Sequence, residues 1–355
     1  MSAFTAFDRE MMARALVLAE KGLYSTTPNP RVGCVLAKDE SIVGEGWHEK
    51  AGGPHAEVVA IAQAGAKAAG ATAYVTLEPC NHEGRTPPCV DLILSRKIKR
   101  VVAAMLDPNP AAAHGGAQLA AAGIGFEHGL MEAEARELNI GFVSRMTRGR
   151  PWVRMKIAAT LDGRTALPDG RSQWITGAEA RKDGHRWRAR ACAILTGIGT
   201  VKADDPRLTV REVPTPRQPL RVVVDSRLEM PENAKILEGQ RILVFAASAS
   251  KKSMNAEIIS LPNKNNKVEL PLMLEELARR GVNELHVEAG FRLNGSLARE
   301  GCVDEFLIYL NPSFLGDEAQ GMLALGGISS LEQKIKASIV SLDRVGDDIR
   351  ILARL

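Results

Sequence analysis

The sequence contains no apolar run that approaches the ~20 residues needed to cross a bilayer, so no membrane-spanning helix is predicted. It contains no block of like charge either, because acidic and basic residues are interspersed along the chain. The formal net charge of +4 is too small to indicate nucleic-acid binding by itself, and it suits a phosphorylated small molecule equally well. We therefore expect no membrane partner and no nucleic-acid partner.

The cysteines do not suit a disulfide framework, because there are five of them and no secretory segment precedes them. Residues 1–22 carry acidic side chains within an apolar helical pattern and show no cleavage site, so they predict the first helix of a domain. In a reducing compartment, paired cysteines indicate metal binding more often than disulfides. We expect a cytoplasmic protein.

The chain of 355 residues is too long for one typical hydrophobic core, and its length suits two domains. Its composition, 45% apolar and 25% charged, is ordinary for a globular protein, and no internal repeat links the two halves. The basic stretch 147–151 is punctuated by glycine and proline and marks the best boundary. We expect one domain over 1–147 and a second over 148–355.

Helices and strands alternate in both halves, which favours α/β domains with helices packed on the faces of a sheet. Strands are predicted at 32–37, 41–47, 73–78, 101–105, 152–158, 193–196, 221–225, 241–245, 284–288, 305–310 and 348–353. Helices are predicted at 13–21, 56–69, 90–95, 115–122, 132–146, 178–191, 272–280 and 294–300.

Three short sequence motifs in the first half predict a zinc centre, namely HAE at 55–57, PC at 79–80 and PC at 88–89. The imidazole of His55 and the thiolates of Cys80 and Cys89 can hold Zn²⁺ and leave its fourth position open, which distinguishes a catalytic zinc from a structural one. We place Pro54 at the first position of a helix, with His55 and Glu57 in its first turn, and Cys89 at the start of the next helix. Glu57 could then take a proton from a zinc-activated water and pass it to a leaving nitrogen.

Zinc-dependent nucleobase deaminases carry the related pattern H-x-E with P-C-x-x-C, which indicates hydrolytic removal of an amino group. Here eight residues separate Cys80 from Cys89 instead of two, and the insert contains Arg85. Arg85 suits a phosphate-bearing substrate but is equally consistent with a solvated loop charge. A structural zinc would need a fourth protein ligand, for which His82 is the obvious candidate; we expect His82 to point into the pocket or to solvent.

Each zinc candidate has a simpler interpretation when it is taken alone. The histidine could cap a helix, and either cysteine could be a buried apolar group. All three, however, lie beside a proline at the end of a helix or strand, and together they favour the metal.

The second half carries weaker signals. TGIGT (196–200) has a G-x-G but lacks the third glycine of a Rossmann motif, so a turn after a strand is the better interpretation. At HVEAG (286–290) a strand is predicted to end at Glu288, followed by a helix near Asn294 whose free N–H groups could receive a phosphate. Arg188 and Arg211 are the phosphate candidates, and Trp174 is either a core residue or a stacking surface for a ring.

Longer sequence motifs resemble those of a known family. The first half resembles the deaminase half of the bifunctional riboflavin-biosynthesis deaminase/reductases in TPNPRVG (27–33), GWH (46–48), HAE (55–57), TLEPCNHEGRTPPC (76–89) and DPNP (107–110). The second half resembles the reductase half in KIAATLDGRTA (156–166), SQWIT (172–176), ADDPRLTVR (203–211), VVVDS (222–226) and HVEAG (286–290). The resemblance covers nearly the whole chain in the order of the family. It departs at AHGG (113–116), where the family usually has a basic residue before the last glycine.

The resemblance implies a cytidine-deaminase-like α/β/α domain followed by a dihydrofolate-reductase-like α/β domain. The zinc ligands that it implies are His55, Cys80 and Cys89. Glu57 would be the proton donor and acceptor, and Asn29 and His48 would lie near the pyrimidine. Asn29 could instead belong to a turn between prolines, and His48 could cap a strand. The ligand types also leave Fe²⁺ open as the metal.

For the second half, the resemblance implies an NADPH-dependent reduction that opens and reduces a ribose. The cofactor residues that it implies are Ala158, Trp174, Thr200, Asp204, Ser226, Gly290, Phe291, Arg292, Leu293, Asn294, Gly295 and Ser296. The residues that it implies at the ribose phosphate substrate are Ser172, Arg188, Leu208, Arg211 and Glu288. The preference for NADPH over NADH follows only from the family, which also suggests a homodimer.

The implied substrate is 2,5-diamino-6-ribosylamino-4(3H)-pyrimidinone 5′-phosphate, and the implied product is 5-amino-6-ribitylamino-uracil 5′-phosphate. Two other functions are alternatives. A tRNA or free-nucleoside deaminase with an accessory domain would require a basic stripe that the sequence does not display. A structural zinc beside a ligand-binding or regulatory module predicts four protein ligands, no NADPH oxidation and unfolding on metal loss.

Overall fold

A computed structural model describes residues 4–83, 87–240, 242–248 and 255–355. The chain divides into two compact units, Met1–Arg148 and Gly149–Leu355. Among the described residues, none of the helices combines the length and the apolar character that a membrane span requires. Arg85, in the insert between the cysteines, and Arg241, at the start of a predicted strand, lie outside the described residues.

The first unit is built on a five-stranded sheet. Its helices are α1 (Ala6–Glu20), α2 (Ala56–Ala64), α3 (Cys89–Ser95), α4 (Gly115–Ala121), α5 (Glu132–Leu138) and α6 (Ile140–Arg148). Its strands are β1 (Gly33–Lys38), β2 (Ser41–Trp47), β3 (Thr72–Val75), β4 (Arg100–Ala103) and β5 (Gly125–His128). The order across the sheet is β2-β1-β3-β4-β5, in which β1 is antiparallel to β2 and β3, and β3, β4 and β5 are parallel.

Helices cover both faces of this sheet, as the alternating pattern predicts. A Cβ on Gly33 would overlap the backbone of Ala15 in α1, and a Cβ on Gly46 would overlap the backbone of Ala56 in α2. Gly46 pairs with Cys34, the residue after Gly33, so the two glycines face opposite sides of the sheet. Glycine is therefore required where each helix approaches the strands most closely.

The first helix begins at Ala6, earlier than the predicted start at residue 13, because Thr5 caps it. The Thr5 hydroxyl accepts from the Asp8 amide at 3.0 Å, and the Asp8 carboxylate accepts from the Thr5 amide at 2.9 Å. Asp8 also accepts from Tyr74 of β3 at 2.8 Å and from Arg100 of β4 at 2.6 Å. One buried carboxylate thus joins α1 to two strands.

The second unit is built on a nine-stranded sheet and a two-stranded one. Its helices are α7 (Ala178–Arg190), α8 (Ile198–Asp204), α9 (Leu270–Arg279) and α10 (Phe291–Arg299). Its strands are β6 (Trp152–Thr160), β7 (Arg164–Ala166), β8 (Ala193–Gly197), β9 (Leu220–Val224), β10 (Ile242–Ala246), β11 (Ala256–Ser260), β12 (Glu284–Val287), β13 (Glu305–Asn311), β14 (Gln320–Gly321), β15 (Ser338–Val345) and β16 (Asp348–Arg354).

The large sheet has the order β11-β10-β9-β8-β12-β6-β13-β16-β15. Its strands from β11 to β13 are parallel, whereas β16 and β15 continue it antiparallel. The parallel strands β8 and β10 are buried along their whole length. Parallel strands end at one shared edge, so the loops after β6, β8, β9 and β12 meet there.

A buried ion network holds the middle of this sheet in register. The guanidinium of Arg154 on β6 lies between Glu284 of β12 and Glu305 of β13, and all three side chains are almost fully enclosed. Arg190 donates to Glu284 at 2.7 Å and Arg354 donates to Glu305 at 2.9 Å, so each carboxylate has a second cationic partner. Buried charges of this kind are tolerated only when they are paired and hydrogen-bonded.

The structure adds elements that were not predicted, namely β5, β7, α8, β11, β14 and β15. Several of these strands are short or lie at a sheet edge, where apolar alternation is weak because part of each strand faces solvent. The interpretation of TGIGT as a turn was wrong: β8 ends at Gly197 and α8 begins at Ile198. The predicted helix near Asn294 begins at Phe291 instead, because the extended Gly290 is its N-cap.

Candidate functional site

Three secondary-structure ends bring the predicted zinc ligands together. Cys89 is the first residue of α3, and Cys80 lies on the segment after β3, where its carbonyl accepts from the Val90 amide at 3.3 Å. His55 is the N-cap of α2, with an extended backbone. The placement of Pro54 at the first helical position was therefore wrong: the helix begins only at Ala56, because the extended conformation of His55 separates the proline from it.

The donor atoms fit a single metal ion. His55 Nδ1 lies 3.2 Å from Cys89 Sγ and 3.5 Å from Cys80 Sγ, and all three donor atoms lie within 4.8 Å of one another. Zinc takes sulfur at about 2.3 Å and nitrogen at about 2.1 Å, so two donors of one ion lie no more than about 4.4 to 4.6 Å apart. The two nitrogen–sulfur separations satisfy this limit.

The group of potential ligands has three members among the residues that the structure describes. His82, the candidate for a fourth ligand, is exposed and is not part of this group. Glu57 lies two residues after His55 in the first turn of α2 and is buried. The arrangement is that of a site with an open fourth position, with a carboxylate next to it.

Burial and mutual contact shift the acid–base properties of the cluster. Burial raises the pKa of Glu57, which keeps this carboxyl able to carry a proton. The hydrogen bond from Cys89 lowers the pKa of Cys80, and the same contact raises the pKa of Cys89. One thiolate is thus already favoured in the fold, and a divalent ion would favour the second.

The structure brings Asn29 and His48 to the same place. His48 Nδ1 lies 2.9 Å from the Pro54 carbonyl, which can only accept, so Nδ1 carries the hydrogen and Nε2 is free to accept from Asn29 Nδ2 at 3.1 Å. The His48 ring lies 5.6 Å from the His55 ring, at 89° to it. Burial lowers the pKa of His48, in agreement with a neutral imidazole.

Glu78 organises the floor of this site and was not predicted as a functional residue. Its buried carboxylate accepts from the Asp107 amide at 3.0 Å and from the Gly116 amide at 2.8 Å. A Cβ on Gly115 would overlap the Pro79 carbonyl oxygen, so α4 begins directly against the segment that carries Cys80. The AHGG segment therefore has a structural role at its glycines, whereas His114 is exposed. The sequence signal that could have indicated Glu78 was its position in the TLEPC motif, two residues before Cys80.

The second unit has an open cavity of about 1660 Å³ at the edge where its parallel strands end. Every residue predicted at the cofactor or at the ribose phosphate lines this cavity except Gly295. Gly295 lies on the other side of α10, where a Cβ would overlap the backbone of Ala324. Its place in the run 290–296 suggested contact, but a helix completes a turn about every 3.6 residues, so some residues of such a run face away from a ligand.

The interior of the cavity is strongly charged. Arg188 makes a two-fold contact with Glu288 at 2.5 and 2.8 Å and donates to the Thr209 carbonyl at 3.1 Å. Arg211 is exposed, and its backbone amide donates to His185 Nδ1 at 3.1 Å. Burial, with Arg188 and Arg211 nearby, lowers the pKa of His185 to about 4, so this imidazole is neutral and fixes the backbone at Arg211.

Trp174 is not a core residue, because 71% of its surface is exposed on the cavity wall. The guanidinium of Arg181 lies 4.8 Å from its ring centroid. Thr200 lies in the first turn of α8 close to Gly290, and the Ser226 hydroxyl accepts from the Val268 amide at 3.3 Å.

Lys156 is a residue of this cavity to which the sequence assigned no role. It lies on β6 two residues before Ala158, and its ammonium group lies 6.0 Å from the Tyr309 ring centroid. Burial lowers the pKa of Lys156, while the charge of Glu288 opposes that shift. A lysine with a lowered pKa in a cavity is a candidate proton donor. The sequence showed that Lys156 belongs to the motif KIAATLDGRTA, but it did not show that the side chain is buried.

The two units match two separate families. Residues 5–105 match the cytidine and deoxycytidylate deaminase zinc-binding region, and residues 151–351 match the RibD C-terminal domain. Riboflavin biosynthesis protein RibD of Escherichia coli K12 is 44% identical over 358 residues, which cover 96% of this chain and 98% of that protein. The chain belongs to the RibD family. RibD of Aquifex aeolicus is also 44% identical, over 97% of each chain.

Solved RibD structures agree over the full length. Acinetobacter baumannii RibD has a TM-score of 0.92 and 41% identity, with 98% of each chain covered. A diaminohydroxyphosphoribosylaminopyrimidine deaminase/5-amino-6-(5-phosphoribosylamino)uracil reductase from Thermotoga maritima has a TM-score of 0.89 and 33% identity, again over 98% of each chain. The predicted family, the predicted fold class and the pairing of a riboflavin-biosynthesis deaminase half with a reductase half are confirmed.

Proposed function

We propose that residues 1–147 deaminate 2,5-diamino-6-ribosylamino-4(3H)-pyrimidinone 5′-phosphate. Residues 148–355 would then reduce the ribosyl chain with NADPH to give 5-amino-6-ribitylamino-uracil 5′-phosphate. The observation that carries this proposal is the cluster of half-buried His55 with buried Cys80 and Cys89, two residues from the buried Glu57. The same chain also holds a charged cavity at the strand ends of its second unit.

In the first step, His55, Cys80 and Cys89 would hold the zinc, which when bound lowers the pKa of a water toward ~7. Glu57 would accept the proton of that water and deliver it to the amino group that leaves as ammonia. Its burial supports this role, because a raised pKa lets the carboxyl hold the proton between the two transfers.

Asn29 and His48 would orient the pyrimidine. His48 presents a neutral ring whose Nδ1 hydrogen is engaged by the Pro54 carbonyl, and its Nε2 holds the Asn29 amide. The Asn29 carbonyl oxygen and second amide hydrogen are then available to an amide-like ring edge.

In the second step, NADPH when bound supplies a hydride to the ribosyl carbon attached to nitrogen. The helix α10 begins at Phe291 with extended Gly290 before it, so its first amides point toward the place proposed for the cofactor phosphates. Thr200 and Ser226 at neighbouring strand ends, and Ala158 on β6, would complete the cofactor contacts.

Opening and reducing the ribose consumes one proton in addition to the hydride. Lys156 is placed to supply it, since its ammonium group lies in the cavity close enough to Glu288 and Arg188 to feel their charges. Arg188 is held by Glu288, so the exposed guanidinium of Arg211 is the more available partner for the substrate phosphate. Ser172 and Leu208 would line the same subsite.

The same proposal includes a homodimer formed through the second unit. The edge strand β15 exposes Ile339 by 65% and Leu342 by 62%. Apolar side chains on an edge strand favour pairing with another chain. A second copy of this chain is the proposed partner, and the five free thiols are consistent with the proposed cytoplasmic location.

The double variant Ile339→Asp/Leu342→Asp is expected to be monomeric, because two desolvated carboxylates would oppose pairing of this surface. Multi-angle light scattering at micromolar concentration measures the mass of the variant and of the wild type. Val17→Asp, an equally apolar exposed site in the first unit, is the control and should remain dimeric. A monomeric wild type, or a dimeric double variant, would refute the proposed surface.

The whole activity is tested by giving the zinc-loaded protein the diaminopyrimidine ribotide with and without NADPH. Ammonia release is expected in both cases, and loss of the NADPH absorbance only when cofactor and deaminated ribotide are both present. Ammonia from cytidine or from tRNA, without turnover of the ribotide, would instead support a nucleoside or RNA deaminase.

A further inference from the structure

Three cations line the cavity of the second unit in the region of Ser226. Lys202 lies in the last turn of α8, Arg227 lies three residues after β9, and Lys267 precedes Val268, whose amide binds Ser226. All three line the cavity. We call Lys202, Arg227 and Lys267 the cation cluster.

A single carboxylate, that of Glu229, interacts with all three cations. Glu229 lies 2.6 Å from the Arg227 guanidinium and also pairs with the Lys202 ammonium group. The charges of Lys202, Arg227 and Lys267 all contribute to lowering the pKa of Glu229. Counted against Glu229 alone, the three cations keep an excess of about two positive charges, which suits the −1.5 to −2 of a phosphate monoester near pH 7.

Two other cations that line the cavity each have a carboxylate partner of their own. Lys235 pairs with Asp205 at 3.1 Å, and Arg207 pairs with Glu238 at 3.1 Å. The cation cluster differs from these two pairs, because its three cations share the single carboxylate of Glu229.

The strand order shows which part of a dinucleotide reaches this end. Across the sheet, β6 with Ala158 is followed by β12, then β8, then β9. The chain continues from β12 to Gly290 and α10, and from β9 to Ser226. Three strand steps of about 4.8 Å span about 14 Å. With the nicotinamide at Ala158 and the phosphates at the start of α10, the adenosine ribose falls at Ser226 and its neighbours.

We propose that Lys202, Arg227 and Lys267 bind the 2′-phosphate of the adenosine ribose and make the reductase half select NADPH over NADH. This inference rests on the proposed function. Arg227 provides a planar fork that can bind phosphate through two hydrogen bonds, and the two lysines add charge around it.

The competing group is Asp225, since a carboxylate at the end of such a strand selects the 2′-hydroxyl in NAD-dependent enzymes. Asp225 is 0% exposed, and its Oδ2 accepts from the Met230 amide at 2.8 Å, so it closes the turn after β9. The Arg227 side chain is 75% exposed. The group that a ligand can reach here is therefore the guanidinium and not the carboxylate.

The test measures binding of two nucleotides by isothermal titration calorimetry to the full-length zinc-loaded protein. Adenosine 2′,5′-bisphosphate and adenosine 5′-monophosphate differ only in the 2′-phosphate. The wild type is expected to bind the bisphosphate at least about tenfold more tightly, and Arg227→Gln and Lys267→Gln are each expected to reduce that preference by about tenfold. Lys235→Gln, at a balanced pair, is the matched control and should keep the wild-type preference.

Equal binding of both nucleotides by the wild type, no binding of either, or a preference that survives in Arg227→Gln and Lys267→Gln would overturn the proposal. Initial rates with NADPH and NADH on the deaminated ribotide separate it from the proposed function. Turnover with equal KM for both cofactors refutes the cation cluster and leaves the reductase intact. A 2′-phosphate preference that depends on Arg227, without turnover of either cofactor, supports the cluster and refutes the reductase.

Discussion

The Glu57→Gln protein is expected to lose deamination by a factor of about 10² to 10⁴, while zinc content and NADPH-dependent reduction stay at wild-type levels. Glutamine keeps the size and the buried position of the side chain, but it cannot accept a proton from the attacking water. His55, Cys80 and Cys89 are unchanged, so the metal should remain bound.

Three measurements check this result: ammonia release from the diaminopyrimidine ribotide, zinc by atomic absorption, and NADPH oxidation with the deaminated ribotide. Glu49→Gln is the matched control, because Glu49 is exposed in the same unit, and this variant should deaminate normally. Normal ammonia release from Glu57→Gln would refute its role. Loss of zinc in that variant would show that Glu57 supports the ligands instead.

The Lys156→Met protein is expected to lose reduction by a factor of about 10² or more, with deamination unchanged. Methionine occupies a similar volume but has no proton to donate to the opened ribose. Binding of NADP⁺ should persist, because the proposed cofactor phosphates lie at α10 and not at β6. Single-turnover NADPH oxidation, together with calorimetric NADP⁺ binding, separates a loss of chemistry from a loss of affinity.

The pH dependence of the wild type provides an independent check on Lys156. Burial lowers the pKa of this lysine below its ordinary value of about 10.4, and the proton-donating form exists only below that pKa. Reduction should therefore fall as the pH rises through the lowered pKa, at a lower pH than an exposed lysine would give. Lys182→Met, an exposed position on α7, should leave both rate and profile unchanged. An unchanged rate in Lys156→Met would exclude the lysine as the proton donor.

The elements that the sequence predicted well are those with strong apolar character. The buried strands β8, β9 and β12 and the amphipathic helix α9 lie close to their predicted ranges, because burial of a whole strand or of one helix face leaves a clear pattern. The edge strands β11 and β15 were missed, since exposed positions place little constraint on residue type. Helix starts were displaced at Ala6 and Phe291, where a residue outside the apolar pattern is the N-cap.

The candidate zinc centre was predictable because its ligands lie in three short words, and a metal restricts residue types far more than packing does. The reductase residues were assigned by resemblance, and all but Gly295 line one cavity. Glu78 was visible in the TLEPC motif, but its contacts with the Asp107 and Gly116 amides were not predictable, because they depend on segments that are distant in the chain. The same reason applies to the contact of His185 with Arg211.

The sequence by itself determined the family, the two-part architecture and the residue types available for zinc binding, because each of these depends on motifs of contiguous residues. Only the tertiary structure decided the surroundings of those residues, including the buried state of Lys156, the engagement of Arg188 by Glu288 and the cation cluster around Glu229. The physical reason is that charge and burial depend on distance in space, and the parallel strands of the second unit bring their far-separated ends to one edge.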